Sequence, residues 1–272
     1  MVSVVIAAHN EQAVLGRTLD ALLGDGPDGL DVTVVANGCT DGTAAVARAR
    51  PGVRVIELAE ASKPSALNAG DAVAVGFPRV YLDADISLPG AAVRRLAAAV
   101  SGSALAAVPR RRLILTGRPL LVRAYYAVHT RLPVFAAGLF GRGVITLSAA
   151  GRARFDRFPD MIADDLFLDS RFTDAERRAV PEVEAPVATP LRTRDLLRRL
   201  ARVRAGNAAM RDAAHGTRRA SRLSWLRDVV LSRPWLAPAA VCYVGLTVTA
   251  ALLARRRTDT WARDESSRAG GG

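Results

Sequence analysis

Arg79-Val-Tyr-Leu-Asp-Ala-Asp-Ile-Ser-Leu-Pro89 is a short apolar run that ends in two carboxylates two positions apart. Side chains alternate along extended backbone, so a strand over Arg79–Leu82 would carry Asp83 and Asp85 out on one side, with Ala84 between them. Two like charges held that close call for a positive charge between them. A hard divalent cation that also takes phosphate oxygens meets the need. Aspartate is also common in an ordinary turn at a strand end, so the segment gains meaning from what surrounds it.

Around it, the first 110 residues alternate two kinds of segment. Val2–Ala8, Asp31–Ala36, Val53–Leu58 and Ala104–Val108 join Arg79–Leu82 as apolar strands. Gln12–Leu23, Thr43–Arg50, Ser65–Val75 and Ala91–Val100 have helical spacing. The pattern predicts an α/β fold: a Rossmann-like, mainly parallel central sheet with helices on both faces. Ligands of such sheets bind beyond the carboxyl ends of the strands. His9-Asn10-Glu11, Asn37-Gly38 and Asp83-Ala84-Asp85 all fall there. From Arg110 to Pro190 the pattern is less regular. This stretch holds the Gly-rich Ala137–Gly143, a strand at Val144–Ser148, and Asp164-Asp165 just before Leu166-Phe167-Leu168. That acidic pair also suits a helix N-terminus. Thr193–Asp212 reads as a strongly basic helix.

With 272 residues, half of them apolar, the chain can bury a sizeable core as one large domain or a domain with an appendage. Lys plus Arg number 38 against 26 Asp plus Glu, and the excess gathers after residue 190. No recognition helix, zinc finger or aromatic-interleaved basic pattern accompanies it, so nucleic acid is not an expected partner. The two cysteines, Cys39 and Cys242, imply no disulfide framework. Met1–Ala8 lacks a basic leader and reads as a buried strand, which leads to the expectation of a cytoplasmic catalytic domain. Trp235–Ala254 carries no charge and precedes Arg255-Arg256-Arg257. As a helix it would measure about 30 Å, the thickness of a hydrocarbon core. It either attaches the chain to the inner face of the cell membrane or packs as an apolar helix on protein. Residues 258–272 read as a disordered tail.

Five motifs in order resemble family 2 glycosyltransferases. Val2–Glu11 is similar to that family's opening strand, and Asn37-Gly-Cys-Thr-Asp-Gly-Thr43 to its second-strand turn. Lys63-Pro-Ser-Ala-Leu-Asn-Ala-Gly70 resembles the Lys-x-x-Ala-Leu-Asn-x-Gly segment. Asp83-Ala84-Asp85 occupies the place of the DXD metal motif, and Ala163-Asp164-Asp165 that of the acidic pair containing the catalytic base. The resemblance covers roughly residues 2 to 210. It implies a GT-A fold and an inverting hexosyl transfer from a nucleoside diphosphate sugar to an acceptor hydroxyl, with Mg or Mn as cofactor. Carried over residue by residue, Asp165 is the base and Asp164 its supporting neighbour. Asp83 and Asp85 hold the metal, and Asp83 also meets the donor. Ala8, His9, Glu11, Asn37, Lys63 and Asn68 complete the nucleotide-sugar site, with Gly70 beside Asn68 on the helix facing the donor. Lys63 is the sole lysine in a chain that otherwise uses arginine, consistent with a compact ammonium near the diphosphate or the base.

Three departures qualify these expectations. Ala36-Asn37 stands where the family often has an Asp-Asp pair, so the carboxylate that would accept from a uracil imide is replaced by an amide. His9 stands where an aromatic is frequent and either stacks on a base or is structural. Arg199-Leu-Ala-Arg-Val203 lacks the Gln and Trp of processive members, which favours single transfers. The expected organisation is a nucleotide-sugar half over 1–110 and an acceptor half over 111–215, followed by a C-terminal helical segment over 216–257. Gly138, Gly141 and Gly143 fall in the acceptor-side loop, which Tyr125, Tyr126 and His129 either line or leave to pack a core. A lipid-linked acceptor follows if the C-terminal helix touches membrane. Two rivals remain: a nucleotidyltransferase of sugar phosphates, whose Gly-rich loop is missing after the first strand, and a catalytically degenerate, membrane-anchored binding protein.

Overall fold

The computed structural model describes residues 1–26, 28–160, 164–213 and 223–255, apart from the side chains of 136, 137, 205–213 and 255. Ala163, Arg218, Arg219, Arg222, Arg256, Arg257 and the expected disordered tail lie outside the described residues. The elements run β1 (Val2–Ala8), α1 (Gln12–Leu23), β2 (Leu30–Asn37), α2 (Thr43–Arg48) and β3 (Val53–Leu58). Then come α3 (Lys63–Val73), β4 (Arg79–Asp83), α4 (Gly90–Ala99) and β5 (Ala106–Ile114). α5 (Leu120–His129), α6 (Pro133–Ala137), β6 (Val144–Leu147), α7 (Ala149–Arg152) and α8 (Asp164–Ser170) follow. β7 (Arg177–Ala188), α9 (Thr193–Ala213) and α10 (Ala237–Arg255) end the series.

The chain divides into two units, Met1–Arg112 with Gly141–Val187, and Leu113–Phe140 with Ala188–Gly272. This division cuts across the 111–215 half expected from sequence, because β6 and β7 complete the sheet begun by the first 112 residues. That sheet has seven strands in the order β3-β2-β1-β4-β6-β5-β7. β1 pairs in parallel with β2 and β4, and β2 with β3, whereas β6 runs antiparallel to both β4 and β5. The chain steps outward through β2 and β3, then returns to place β4 on the other side of β1. The switch point where ligands bind in open α/β sheets therefore lies between β1 and β4. Right-handed crossovers put α1 and α2 on one face and α3 on the other.

Central strands are buried on both faces, so they read as continuous apolar runs. Val4, Val5 and Ile6 of β1 are wholly buried, as are Val34 and Val35 of β2. α3 lies tight against them: a Cβ at Gly70 would sit 2.4 Å from Val5 Cγ1 and 3.2 Å from Val35 Cγ2. Gly70 thus faces the sheet, not the donor side expected for it. β7 went unread in the sequence, because Pro181 and Pro186 argue against a strand. It occupies the sheet edge, where a residue without an N–H is tolerated.

In the second unit, α10 packs on α5 and α9. Val122, Tyr125, Tyr126, Leu196 and Leu246 form one buried cluster; Val128, Leu132, Val229 and Ala240 form another. Tyr125 stacks on Tyr243 with ring centres 5.2 Å apart. The tyrosines of α5 therefore pack a core. The uncharged C-terminal stretch begins as a 3-10 turn, Pro234–Leu236, and continues as α10.

Candidate active site

The strand ends form one rim, since Ala8 stands opposite Ala36 across β1 and β2, and Ala7 opposite Asp83 across β1 and β4. Side chains stitch its β1–β2 half together. Asn37 is buried, and its Nδ2 donates to the Ala8 carbonyl at 2.8 Å. The His9 ring donates from Nδ1 to the Asn37 carbonyl. Asn10 adopts φ 51°, a left-handed conformation that Asn accepts more readily than most residues, and its Oδ1 accepts the Thr40 N–H at 2.7 Å. Glu11 is buried, and its backbone N–H donates to Thr43 Oγ1 at 2.7 Å. Of the expected donor-site residues, Ala8, His9 and Asn37 thus form one bonded group, with Glu11 close by in sequence and bonded to Thr43.

The second group centres on Lys63. Ser62 caps α3 by accepting the Ser65 N–H, and Pro64 occupies the first turn, where its missing N–H costs nothing. Lys63 therefore projects from the helix start. Its Nζ lies 2.9 Å from Asp83 Oδ1 and 3.1 Å from Asp164 Oδ2, joining the end of β4 to the first turn of α8. Burial alone would pull the Lys63 ammonium down; the Asp164, Asp83 and Asp165 carboxylates outweigh it and hold it well above its ordinary value. Burial pushes the Asp164 carboxyl up to about 6, with Lys63 opposing and Asp165 and Asp83 adding. Asp165 accepts the Gly141 N–H on Oδ2 at 2.9 Å and the Leu166 N–H on Oδ1 at 2.8 Å.

Asp83 and Asp85 are not set by strand alternation. β4 ends at Asp83, whose carbonyl accepts the Ile86 N–H at 3.1 Å, so Ala84 and Asp85 are the middle of a turn. Ala84 is buried, its carbonyl held by Thr18 Oγ1 at 2.8 Å, while Asp85 is exposed. Burying Ala84 and Ile86 makes the chain turn where the strand was expected to continue. Gly143, at φ 68°, keeps the space beside Asp83 open: a Cβ there would meet Asp83 Oδ2 at 3.2 Å and Ile86 Cγ1 at 2.5 Å. Among the described residues no group of three or more His, Cys, Asp and Glu could hold a metal ion. Mg²⁺ usually takes only one or two carboxylates along with substrate phosphates and water. The hard oxygens of Asp83, beside that open space, and of the exposed Asp85, two residues on, are of the kind that fits an ion shared with a diphosphate.

Asn68 faces neither group. Its amide turns to the backbone of Phe158, on the stretch that leads to α8. Phe158 in turn meets Tyr81, Phe155 and Phe167 ring to ring, with centres 5.0, 5.1 and 6.1 Å away. Asp71, three residues after Asn68, is buried between Arg79 and Arg152 and accepts from Tyr81 Oη at 3.0 Å. Sequence reading passed over Asp71; its one signal is the helical spacing that places it on the same face as Asn68.

Comparison with known proteins defines the class. The family model for glycosyl transferase family 2 matches residues 3–151, and the chain belongs to that family. No curated protein sequence matches it. Its GT-A fold is shared by a mannosyltransferase, PcManGT, from Pyrobaculum calidifontis, solved with GDP-Man and Mn²⁺ (23% identity, 94% of this chain and 79% of that one, TM-score 0.58). Residues 1–349 of S. aureus TarS, solved with UDP-GlcNAc, are also similar, at 16% identity over 69% of this chain and 58% of that one, TM-score 0.53. Glucosyl-3-phosphoglycerate synthase from Mycobacterium tuberculosis, solved with Mn²⁺, UDP-glucose and phosphoglyceric acid, has 20% identity over 68% and 70% of the two chains, TM-score 0.50. The chain is a glycosyltransferase. Asp164 and Asp165 lie beyond the matched residues.

Proposed function

We propose that the chain is an inverting, metal-dependent and non-processive glycosyltransferase that moves a sugar from a nucleoside diphosphate sugar to an acceptor hydroxyl. The observation that carries this reading is Lys63 Nζ, held within hydrogen-bond distance of both Asp83 and Asp164. One cation thereby ties the expected donor side of the site to the acidic pair at the start of α8.

In a single displacement the acceptor oxygen bonds to the anomeric carbon as the carbon–oxygen bond to the diphosphate breaks. The hydroxyl must lose its proton, and the diphosphate leaves with an added charge. Asp165 takes the proton on its carboxylate, which the Gly141 and Leu166 N–H groups orient. The Asp164 carboxylate keeps the Lys63 ammonium in place, and that fixed positive charge faces the charge developing on the leaving group. Asp83 and Asp85 would hold Mg²⁺ or Mn²⁺, which when bound supplies Lewis-acid stabilisation to phosphate oxygens. Asn37 is committed to the Ala8 carbonyl and brings no carboxylate to the base, so a uracil imide has no anionic acceptor at this position. Nothing here supports the processive reading, because Arg199–Val203 carries neither Gln nor Trp.

Calorimetric titration with nucleoside diphosphates and their sugars, with and without Mn²⁺, tests the proposal. Metal-dependent binding of one donor is expected, and it identifies the base. Folded protein that binds no member of the panel would overturn it.

A further inference from the structure

The second unit is unlike the first in both charge and exposed apolar surface. It carries 20 basic and 6 acidic residues, +14, so the remaining 18 basic and 20 acidic residues leave the first unit at −2. It also presents large apolar side chains to solvent. Trp235 is 73% exposed, Val241 74%, Val248 51% and Leu252 55%. With the exposed Gly245 between them, Val241, Val248 and Leu252 follow at steps of four, three and four residues on one face of α10, a run that helical geometry aligns. Leu231 and Trp235 flank the exposed Arg233. The opposite face of α10 is taken, since Ala240, Leu246 and Ala250 are buried on the α5 and α9 side. Pro234–Ala254 is long and apolar enough to cross a membrane, yet only 17% of its most apolar window is buried.

We propose that this face of the second unit docks on an anionic phospholipid surface, with α10 lying in the plane of the interface. A second copy of the chain is the wrong partner for it, because two units of +14 repel, whereas an anionic bilayer attracts both features at once. A spanning arrangement is disfavoured by packing: α10 is joined to α9, and burying it in hydrocarbon would take Arg194, Arg198, Arg199, Arg202 and Arg204 towards the bilayer interior. Lying flat, α10 sinks Val241, Val248 and Leu252 below the headgroups. Trp235 sits at headgroup level, where amphipathic rings are favoured, and the arginines meet phosphate.

The test is co-sedimentation of the full chain with phosphatidylglycerol–phosphatidylcholine vesicles and with phosphatidylcholine vesicles. The expected result is binding to the anionic vesicles alone, weakened by salt and released by alkaline carbonate. Val248→Glu or Leu252→Glu should lower binding about tenfold or more, and Trp235→Ala should lower it less. Donor titration of the same variants should be unchanged, which separates failure of this proposal from failure of the donor reading. Equal binding to neutral vesicles, resistance to carbonate, absence of vesicle binding by helical protein, or a dimer that Val248→Glu dissociates would each overturn it.

Discussion

Asn68 grips the backbone of Phe158, 90 residues away: its Nδ2 donates to the Phe158 carbonyl at 2.9 Å, and its Oδ1 accepts the Phe158 N–H at 2.8 Å. A side-chain amide that satisfies both polar groups of one residue works as an additional piece of sheet pairing. It anchors the stretch that carries Asp164 and Asp165 to the helix that begins with Lys63. Asn68→Ala should cost about 1–2 kcal/mol of stability. It should also lower kcat more than it changes donor affinity. Urea unfolding and steady-state kinetics check both. A large loss of donor affinity at normal kcat would return Asn68 to the donor site.

Asp165→Asn keeps the size of the side chain but not its basicity, and leaves one acceptor oxygen for the Gly141 and Leu166 N–H groups where the carboxylate offers two. Donor and metal binding should persist, while turnover falls by a factor on the order of 10² or more. Single-turnover kinetics beside calorimetry is the measurement. An active Asp165→Asn variant would move the base elsewhere.

Chelation of divalent metal should abolish donor binding, and Asp85→Ala should raise the metal concentration needed to restore it. Asp85 is exposed in a turn and bears little of the fold, so its thermal midpoint should move little. Asp85→Ala and Asp165→Asn behaving alike in donor titrations would contradict the division of roles between them.

The buried Asp164 carboxyl, pushed up to about 6, makes folding depend on pH. Between the unfolded value near 3.8 and about 6, the folded chain retains a proton that the unfolded chain has lost. Protonation therefore stabilises the fold, and this contribution is lost as pH rises through that window. Asp164→Asn removes the dependence. Denaturant midpoints of metal-free protein and variant should differ most in the protein's favour near the acid end of the window, with the difference shrinking towards its top. A pH-independent difference would mean that the carboxyl titrates normally.

β1, β2 and β4 were legible because a strand buried on both faces must be apolar along its length, as Val4, Val5, Ile6, Val34, Val35, Val80 and Leu82 are. β7 was illegible for the opposite reason: Pro181 and Pro186 are acceptable only on an edge, and edge position is a property of the assembled sheet. The division into units escaped notice because Gly141–Val187 returns to the first unit through pairing with strands much earlier in the chain.

The site divides along the same line. Strand-end spacing drew attention to Asp83 and Asp85, whereas Lys63, Asp164 and Asp165, which stand at helix starts, were singled out through the resemblance to family 2 glycosyltransferases. Their partners were not readable. A turn closed by the Asp83 carbonyl and the Ile86 N–H replaced the extended backbone that would have aligned Asp83 with Asp85. The Asn68 amide binds the backbone of Phe158, a partner 90 residues away that no local pattern announces. Local periodicity reports what each segment buries, because burial acts on residues a few positions apart. Which carboxylate receives the Lys63 ammonium depends on the packing of α3, β4 and α8, and that is decided only when the chain has folded.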